Sequence, residues 1–403
     1  MSSLPRVLFL SNEAPHTAAA GAIFFHRLLA EYPTDRLLVV TSHLPPAHAT
    51  RLDCRYVHLP LKADRLNRTR FWPWRAILRV CGGSSFLNLK RIDEALGDFQ
   101  PDVVVTLMQD SWFYDFAAHY ARRRKLPLVV FVHDLPAGFE PVPAWLRARQ
   151  QERDASVYRQ AIRRVCISHP MTEHLASSFG ATGEFLLPPR ADVPPRQAPE
   201  NCRQLKQPGQ LTLGYAGGLH YGYGEQLLAM LPMLRATGTK LELFGPPPSG
   251  KVAALADATD VVRLHGYTAT PEAAWQSLLT RCDVILQPYL DPAGEHALQY
   301  RTHFPSKLGD ALSLGLPLLI TGPEYAAGVA WCQQHPGSAC WTGNPTDEAL
   351  RQALHRLLTD SDLRVSLATQ AQATAEEFAA PRLRRQFHEI LCQSVGRPSI
   401  VPS

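Results

Sequence analysis

THFPSKLGDALSLGLPLLITG, Thr302–Gly322, joins a Pro-Ser-Lys step to an apolar helical pattern and then to a short apolar run. Leu308, Ala311, Leu312 and Leu314 fall on one helical face, so the spacing predicts a helix opening at Pro305 or Ser306. Leu318–Thr321, after Gly315-Leu316-Pro317, reads as a buried strand. A helix leading into a buried strand is half of a parallel α/β unit. Lys307 falls in the predicted first turn, where the helix dipole disfavours a cation. Either an anion shares that turn, or the helix is ordinarily capped and the lysine is solvated.

The same alternation runs outward in both directions. Apolar runs at Arg6–Ser11, Arg36–Thr41, Asp102–Leu107, Leu128–His133 and Arg164–Ser168 read as strands in the first half. Leu211–Tyr215, Lys240–Phe244, Val261–Gly266, Asp283–Gln287 and Leu318–Thr321 do so in the second. Helical periods follow most of them, as at Phe24–Glu31, Phe113–Arg124, Tyr223–Arg235 and Pro271–Leu279. Strands alternating with helices predict an α/β protein with parallel sheets covered on both faces. PPRADVPPRQAPENCRQLKQPGQ, Pro188–Gln210, has no period and reads as a connector. The expected division is 1–190, a linker at 191–210, a second domain at 211–375, and a final helix with tail at 376–403 that packs back on the first domain. Two Rossmann-like domains would face a central cleft at the carboxyl ends of their strands. From Thr346 to Gln393 the chain reads as helical, interrupted by Pro381.

At 403 residues, two domains are the natural expectation. A net charge of +5 is too slight to argue for nucleic acid. The eight cysteines include no CxxC pair, which disfavours metal and disulfide frameworks and fits a reducing cytoplasm. The first apolar run, Val7–Leu10, reads as a strand rather than a signal peptide, and no run is long enough to span a membrane.

Certain residue types stand where chemistry needs them. Gly217 and Gly218 end a strand and precede a helix, so their N–H groups either hold an anion or form a tight turn needing positive φ. Ser306 and Lys307 suit a phosphate, and Asp310 can accept a ribose diol. Arg301 is a second candidate cation. His133 and Asp134 close an apolar strand and either face a substrate or simply end the strand. His16 and His26 read as incidental. Asp360-Ser361-Asp362 resembles a metal-binding pair on paper, but fits a helix cap better. LKADRLNRTRFWPWRAILRVCGG, Leu61–Gly83, interleaves arginines with aromatics. Arg70, Trp72, Trp74 and Arg75 there suit an anionic membrane surface or phosphorylated acceptor, a nucleic-acid backbone, or a loop with buried tryptophans.

FPSKLGDALSLGLPLLITG with CDVILQPY before it resembles the donor-nucleotide segment of GT-B glycosyltransferases, above all the retaining group called family 4. GYAGGLHYGYGEQLLAML resembles their glycine turn, LVVFVHDLP their histidine loop, and NEAPHTAAAGAIFFHRLL their first loop, with Gly21 near the sugar diphosphate. The resemblance covers most of the chain. It implies a nucleotide diphosphate sugar as donor, bound by Gly21, Gly217, Gly218, Arg301, Ser306, Lys307 and Asp310. His133, Asp134 and Lys307 would serve catalysis, with retention and without metal or other cofactor. The acceptor would be a glycan, a lipid-linked glycan or a small molecule, and the protein would be cytoplasmic, at the inner face of the membrane where lipid is the acceptor. The family commonly carries two glutamates in this segment; here Thr302 and Asp310 stand in their places, and Glu295 is a candidate substitute. A non-catalytic GT-B partner, a nucleotide-sugar 2-epimerase and a nucleic-acid base glycosyltransferase are the competing readings.

Overall fold

The computed structural model describes residues 4–18, 20–60, 72–77, 80, 89–109, 111–136, 142–220, 222–268, 270–289, 297–343 and 348–396. They divide into two compact units, one taking in residues through Leu187 and again from Pro381 onward, the other Pro188–Ala380.

Unit 1 is built on β1 (Val7–Glu13), β2 (Leu37–His43), β3 (Arg55–His58), β4 (Val103–Leu107), β5 (Leu128–Val132), β6 (Arg163–Cys166) and β7 (Glu184–Phe185). Their order is β3-β2-β1-β4-β5-β6-β7, with parallel pairing throughout. Val7 faces Leu37 on one side and Val103 on the other. Such a strand has no solvent face, which is why Val7–Leu10 and Val103–Val105 are buried without alternation. The chain runs one way from β1 and returns to its other side at β4. That reversal is a switch point, where the loops after two neighbouring strands part and leave a crevice.

Unit 2 repeats the plan with β8 (Thr212–Ala216), β9 (Lys240–Phe244), β10 (Val262–Gly266), β11 (Val284–Pro288), β12 (Leu318–Thr321) and β13 (Cys340–Thr342). The order is β10-β9-β8-β11-β12-β13, again parallel, with its switch point between β8 and β11. Each unit is therefore Rossmann-like.

Three strands lie outside the expected set: β3, β7 and β13. Each is an edge strand, so it needs only one paired side and little apolar sequence. The connector Pro188–Gln210 is held against unit 2 by hydrogen bonds. Gln197 N–H donates to Leu314 O at 2.9 Å and Lys206 N–H to Asp283 Oδ1 at 2.7 Å, while buried Arg364 donates to Cys202 O and Arg203 O. Polar side chains of unit 2 thus satisfy a backbone that has no period of its own. The helical tail breaks at Ala379, and Pro381 stands in the first turn of the final helix Ala380–Ser394, where a residue needs no N–H partner. That helix lies on unit 1: Phe387 meets Phe131 at 5.3 Å, and buried Arg384 donates to Arg27 O at 3.0 Å and to Glu31 Oε1 at 2.8 Å.

Gly214 shows how tightly the second sheet is covered. A Cβ there would lie 2.5 Å from Leu278 Cδ2 and 2.7 Å from Cys282 Sγ, at the end of the helix Pro271–Arg281. Gly214→Val is expected to cost about 1–3 kcal/mol through overpacking, read as a lower urea midpoint with an unchanged slope.

Candidate functional site

At the switch point of unit 2, β8 ends in Tyr215-Ala216 and turns through Gly217 and Gly218. Gly217 has φ 148° and donates its N–H to Phe244 O at 2.9 Å. Gly245, with φ 145°, presses its bare α-carbon side against Gly217 O, so neither position accepts a side chain. Into this turn reaches Lys307, ninety-one residues on: its Nζ donates to Ala216 O at 2.7 Å. The same ammonium stands 4.0 Å from the Tyr215 ring centroid and 5.6 Å from that of Tyr223. A Cβ on Gly217 would collide with it. One carbonyl and two π-faces attract the cation but do not neutralise it, and burial pulls its pKa down to about 7.

Tyr215 links lysine and turn. Its ring faces Lys307 while its hydroxyl donates to Gly218 O at 2.5 Å. Burial pushes the phenol's pKa up, so it remains a donor at any ordinary pH. Among the described residues neither Gly218 nor Leu219 finds a backbone acceptor for its N–H. The imidazole of His220 covers Gly218, with Nδ1 2.6 Å from where a Cβ would be. An ammonium beside the N–H groups of a glycine turn is the donor set an oxyanion requires. Tyr215 and His220 were not singled out by the sequence reading. The only signal for Tyr215 was an aromatic one residue before the small residues of the turn.

The expected helix start is shifted. Helix Leu308–Ser313 is six residues long and begins after Lys307, with half-buried Ser306 in the preceding turn. So short a helix has little dipole, and Lys307 is held by Ala216 and the two rings rather than posed against a helix end. Asp310 is buried and accepts the Ala191 N–H at 2.8 Å through Oδ1, which gives it a structural partner. Arg301 is exposed, its guanidinium 5.9 Å from the Tyr325 ring. The Thr302 hydroxyl donates to Leu298 O at 2.8 Å within its own helix. Glu295 lies outside the described residues.

The switch point of unit 1 gathers a second set. His133 Nδ1 and Asp134 Oδ2 are 3.1 Å apart just past β5. Burial lowers the His133 pKa, but the Asp134 hydrogen bond and charge, with Glu13, outweigh it and leave the imidazole raised. Glu13, at the end of β1, is raised in turn by burial, against the pull of His133 and His43. Gly21 makes room for it: a Cβ there would sit 3.1 Å from Glu13 Oε2. Sequence reasoning missed Glu13, whose one signal was an acid closing the central strand.

Other candidates have local duties. His16 is buried and accepts the Ala18 N–H at 3.0 Å. Asp360 caps the helix Ser361–Thr374 by accepting from Leu363 N–H at 2.8 Å, and Asp362 pairs with Arg203. Among the described residues no three His, Cys, Asp or Glu side chains converge as a metal-binding group. Arg70 lies outside the described residues, as do the side chains of Trp72 and Arg75, while Trp74 is exposed.

Residues 22–190 match the family described as "Glycosyl transferase 4-like domain". No curated protein matches the chain. Solved structures share the architecture over nearly its whole length. A glycosyltransferase from Rickettsia africae ESF-5 superposes with TM-score 0.63 at 12% identity, covering 99% of this chain and 100% of its own. Trehalose-6-phosphate synthase OtsA gives 0.60 at 14%, covering 99% and 100%. A UDP-N-acetylglucosamine 2-epimerase gives 0.52 at 14%, covering 100% of both. Transferases and an epimerase thus share the fold, so the fold alone does not select the reaction.

The lysine's lowered pKa has a testable sign. Between the ordinary lysine value and about 7 the unfolded chain holds a proton that Lys307 in the folded protein does not. Its contribution to stability therefore falls as pH drops through that window and levels off below about 7. Lys307→Met is expected to gain stability relative to wild type at pH 7.5 more than at pH 10, measured as the difference in urea midpoints.

Proposed function

We propose, from the Glycosyl transferase 4-like match over residues 22–190 and a fold shared with solved glycosyltransferases, that the chain transfers a sugar from a nucleotide diphosphate sugar to a hydroxyl acceptor. The acceptor is a glycan, a glycolipid or a small metabolite, and transfer proceeds with retention and without metal. The observation that carries this reading is the Lys307 ammonium seated on the glycine turn at the switch point of unit 2. When the anomeric carbon–oxygen bond breaks, the electron pair departs on the β-phosphate. Lys307, the N–H of Gly218 and Ser306 are the groups that meet that charge. Arg301 adds a second cation. Asp310 is the acid assigned to the ribose.

A phosphate also restores the lysine's charge. Its pKa rises when an anion replaces the carbonyl as partner, so binding above pH 7 draws a proton from solvent. On unit 1, His133 and Asp134 act on the acceptor hydroxyl or the transferred sugar, with Glu13 holding the imidazole's charge state. Epimerisation, which calls for several carboxylates and histidines in one cleft, is less well served: among the described residues no three His, Cys, Asp or Glu side chains converge. Thr302 favours one second reading, a nucleotide-sugar binder without turnover, because its hydroxyl is committed to its own helix where a carboxylate would reach a sugar.

The test is a thermal-shift panel of UDP-, GDP-, dTDP- and CMP-sugars, with and without EDTA, followed by assay of nucleotide release from whichever sugar binds. We expect one nucleotide to raise the melting temperature regardless of EDTA, its affinity to fall at least about tenfold in Lys307→Ala, and slow nucleotide release. Binding without release selects the non-catalytic reading. An undiminished shift in Lys307→Ala overturns the assignment of this lysine.

A further inference from the structure

Lys307 is placed to react as well as to bind. Its Nζ donates to Ala216 O at 2.7 Å and stands 4.0 Å from the Tyr215 ring. Among the described residues no carboxylate offsets its burial, which brings its pKa down to about 7. Near neutral pH a large share of the protein therefore carries Lys307 as the free amine. An amine that gives one N–H to a carbonyl keeps its lone pair, and a desolvated lysine of this kind is a nucleophile. The residue is half-buried rather than sealed, so a small reagent reaches it from solvent.

The groups around the amine select what it attacks. Among the described residues Gly218 and Leu219 find no backbone acceptor for their N–H groups, and half-buried Ser306 directly precedes the lysine. Donors of this kind suit a phosphate. The rings of Tyr215 and Tyr223, 4.0 and 5.6 Å from Nζ, form apolar walls for a short acyl chain. A reagent with a phosphate at one end and a small acyl group at the other matches both features. A neutral ester would find only the walls.

We propose that Lys307 is a modification site for acyl phosphates, the mixed anhydrides of a small carboxylic acid and phosphate. The inference rests on reading the glycine turn as a phosphate site, and not on the sugar transfer itself. The phosphate docks on the Gly218 N–H and Ser306, which brings the acyl carbon to the amine. Nζ attacks that carbon, the N–C bond forms, and the C–O bond breaks with its electron pair leaving on phosphate. The amine proton goes to the departing phosphate, so the products are an amide and inorganic phosphate. The amide keeps an N–H for Ala216 O, and the acyl group lies against the tyrosines. The positive charge is lost, so acylation switches the diphosphate site off.

The experiment is incubation of the full chain with acetyl phosphate at neutral pH, with acetylation of each lysine followed over time by peptide mass spectrometry. Lys90, Lys125, Lys206 and Lys251 are exposed and serve as internal references. We expect Lys307 to be acetylated at least about tenfold faster than any of them. Saturating inorganic pyrophosphate should suppress the labelling of Lys307 and leave the references unchanged. Ser306→Ala, which keeps the lysine, should slow the labelling of Lys307 alone. The acetylated protein should bind pyrophosphate about tenfold more weakly than the untreated chain. Labelling of Lys307 no faster than that of the exposed lysines overturns the proposal, as does labelling that pyrophosphate does not suppress. Protected labelling in a chain that releases no nucleotide from any sugar supports this site and sinks the transfer reading.

Discussion

The contact between Lys307 Nζ and Ala216 O is the constraint on which the rest of the site depends. It joins the end of β8 to a turn ninety-one residues later, and it dictates what its neighbours can be. Gly217 must lack a side chain because the ammonium occupies that space, and Gly245 must lack one because Gly217 O does. Tyr215 must be aromatic to face the cation and hydroxylated to hold Gly218 O. The glycine turn and the Pro-Ser-Lys step, which look like two motifs in sequence, are one structure.

That structure is poised rather than saturated. A carbonyl and two rings stabilise an ammonium only partly, and burial outweighs them enough to bring its pKa to about 7. An anion of high charge density is the partner that would complete the set. The ends of β1 and β5 in unit 1 follow a different logic: Asp134 and Glu13 raise the His133 imidazole, while burial raises the carboxyl of Glu13 against the pull of that imidazole. One parallel-sheet plan thus places unlike chemistries at the same topological address, because the loops after the strands are free to differ.

Much of the fold was legible because strands buried on both faces must be apolar throughout. Val7–Leu10, Val103–Leu107 and Leu128–Val132 could be read directly for that reason. Edge strands carry no such requirement, and Arg55–His58, Glu184–Phe185 and Cys340–Thr342 went unread. Pro188–Gln210 reads as a connector, and the groups that hold it, Asp283, Arg364 and Leu314 among them, could not be seen from it because they lie far along the chain. For the site, residue type was legible and partnership was not. Lys307 stood out by itself, but nothing local pointed to Ala216, to the Tyr215 ring, or to Ala191 as a partner of Asp310. Glu13 was missed because its chemistry comes from burial and from residues on another strand.

The central claim is that the glycine turn and Lys307 form one diphosphate site. Its most direct test is a crystal structure with the bound nucleoside diphosphate. The account predicts phosphate oxygens about 2.7–3.2 Å from Lys307 Nζ and from the Gly218 N–H, with the ammonium turned from Ala216 O toward them. A diphosphate bound elsewhere, with Lys307 still on Ala216 O, would contradict it.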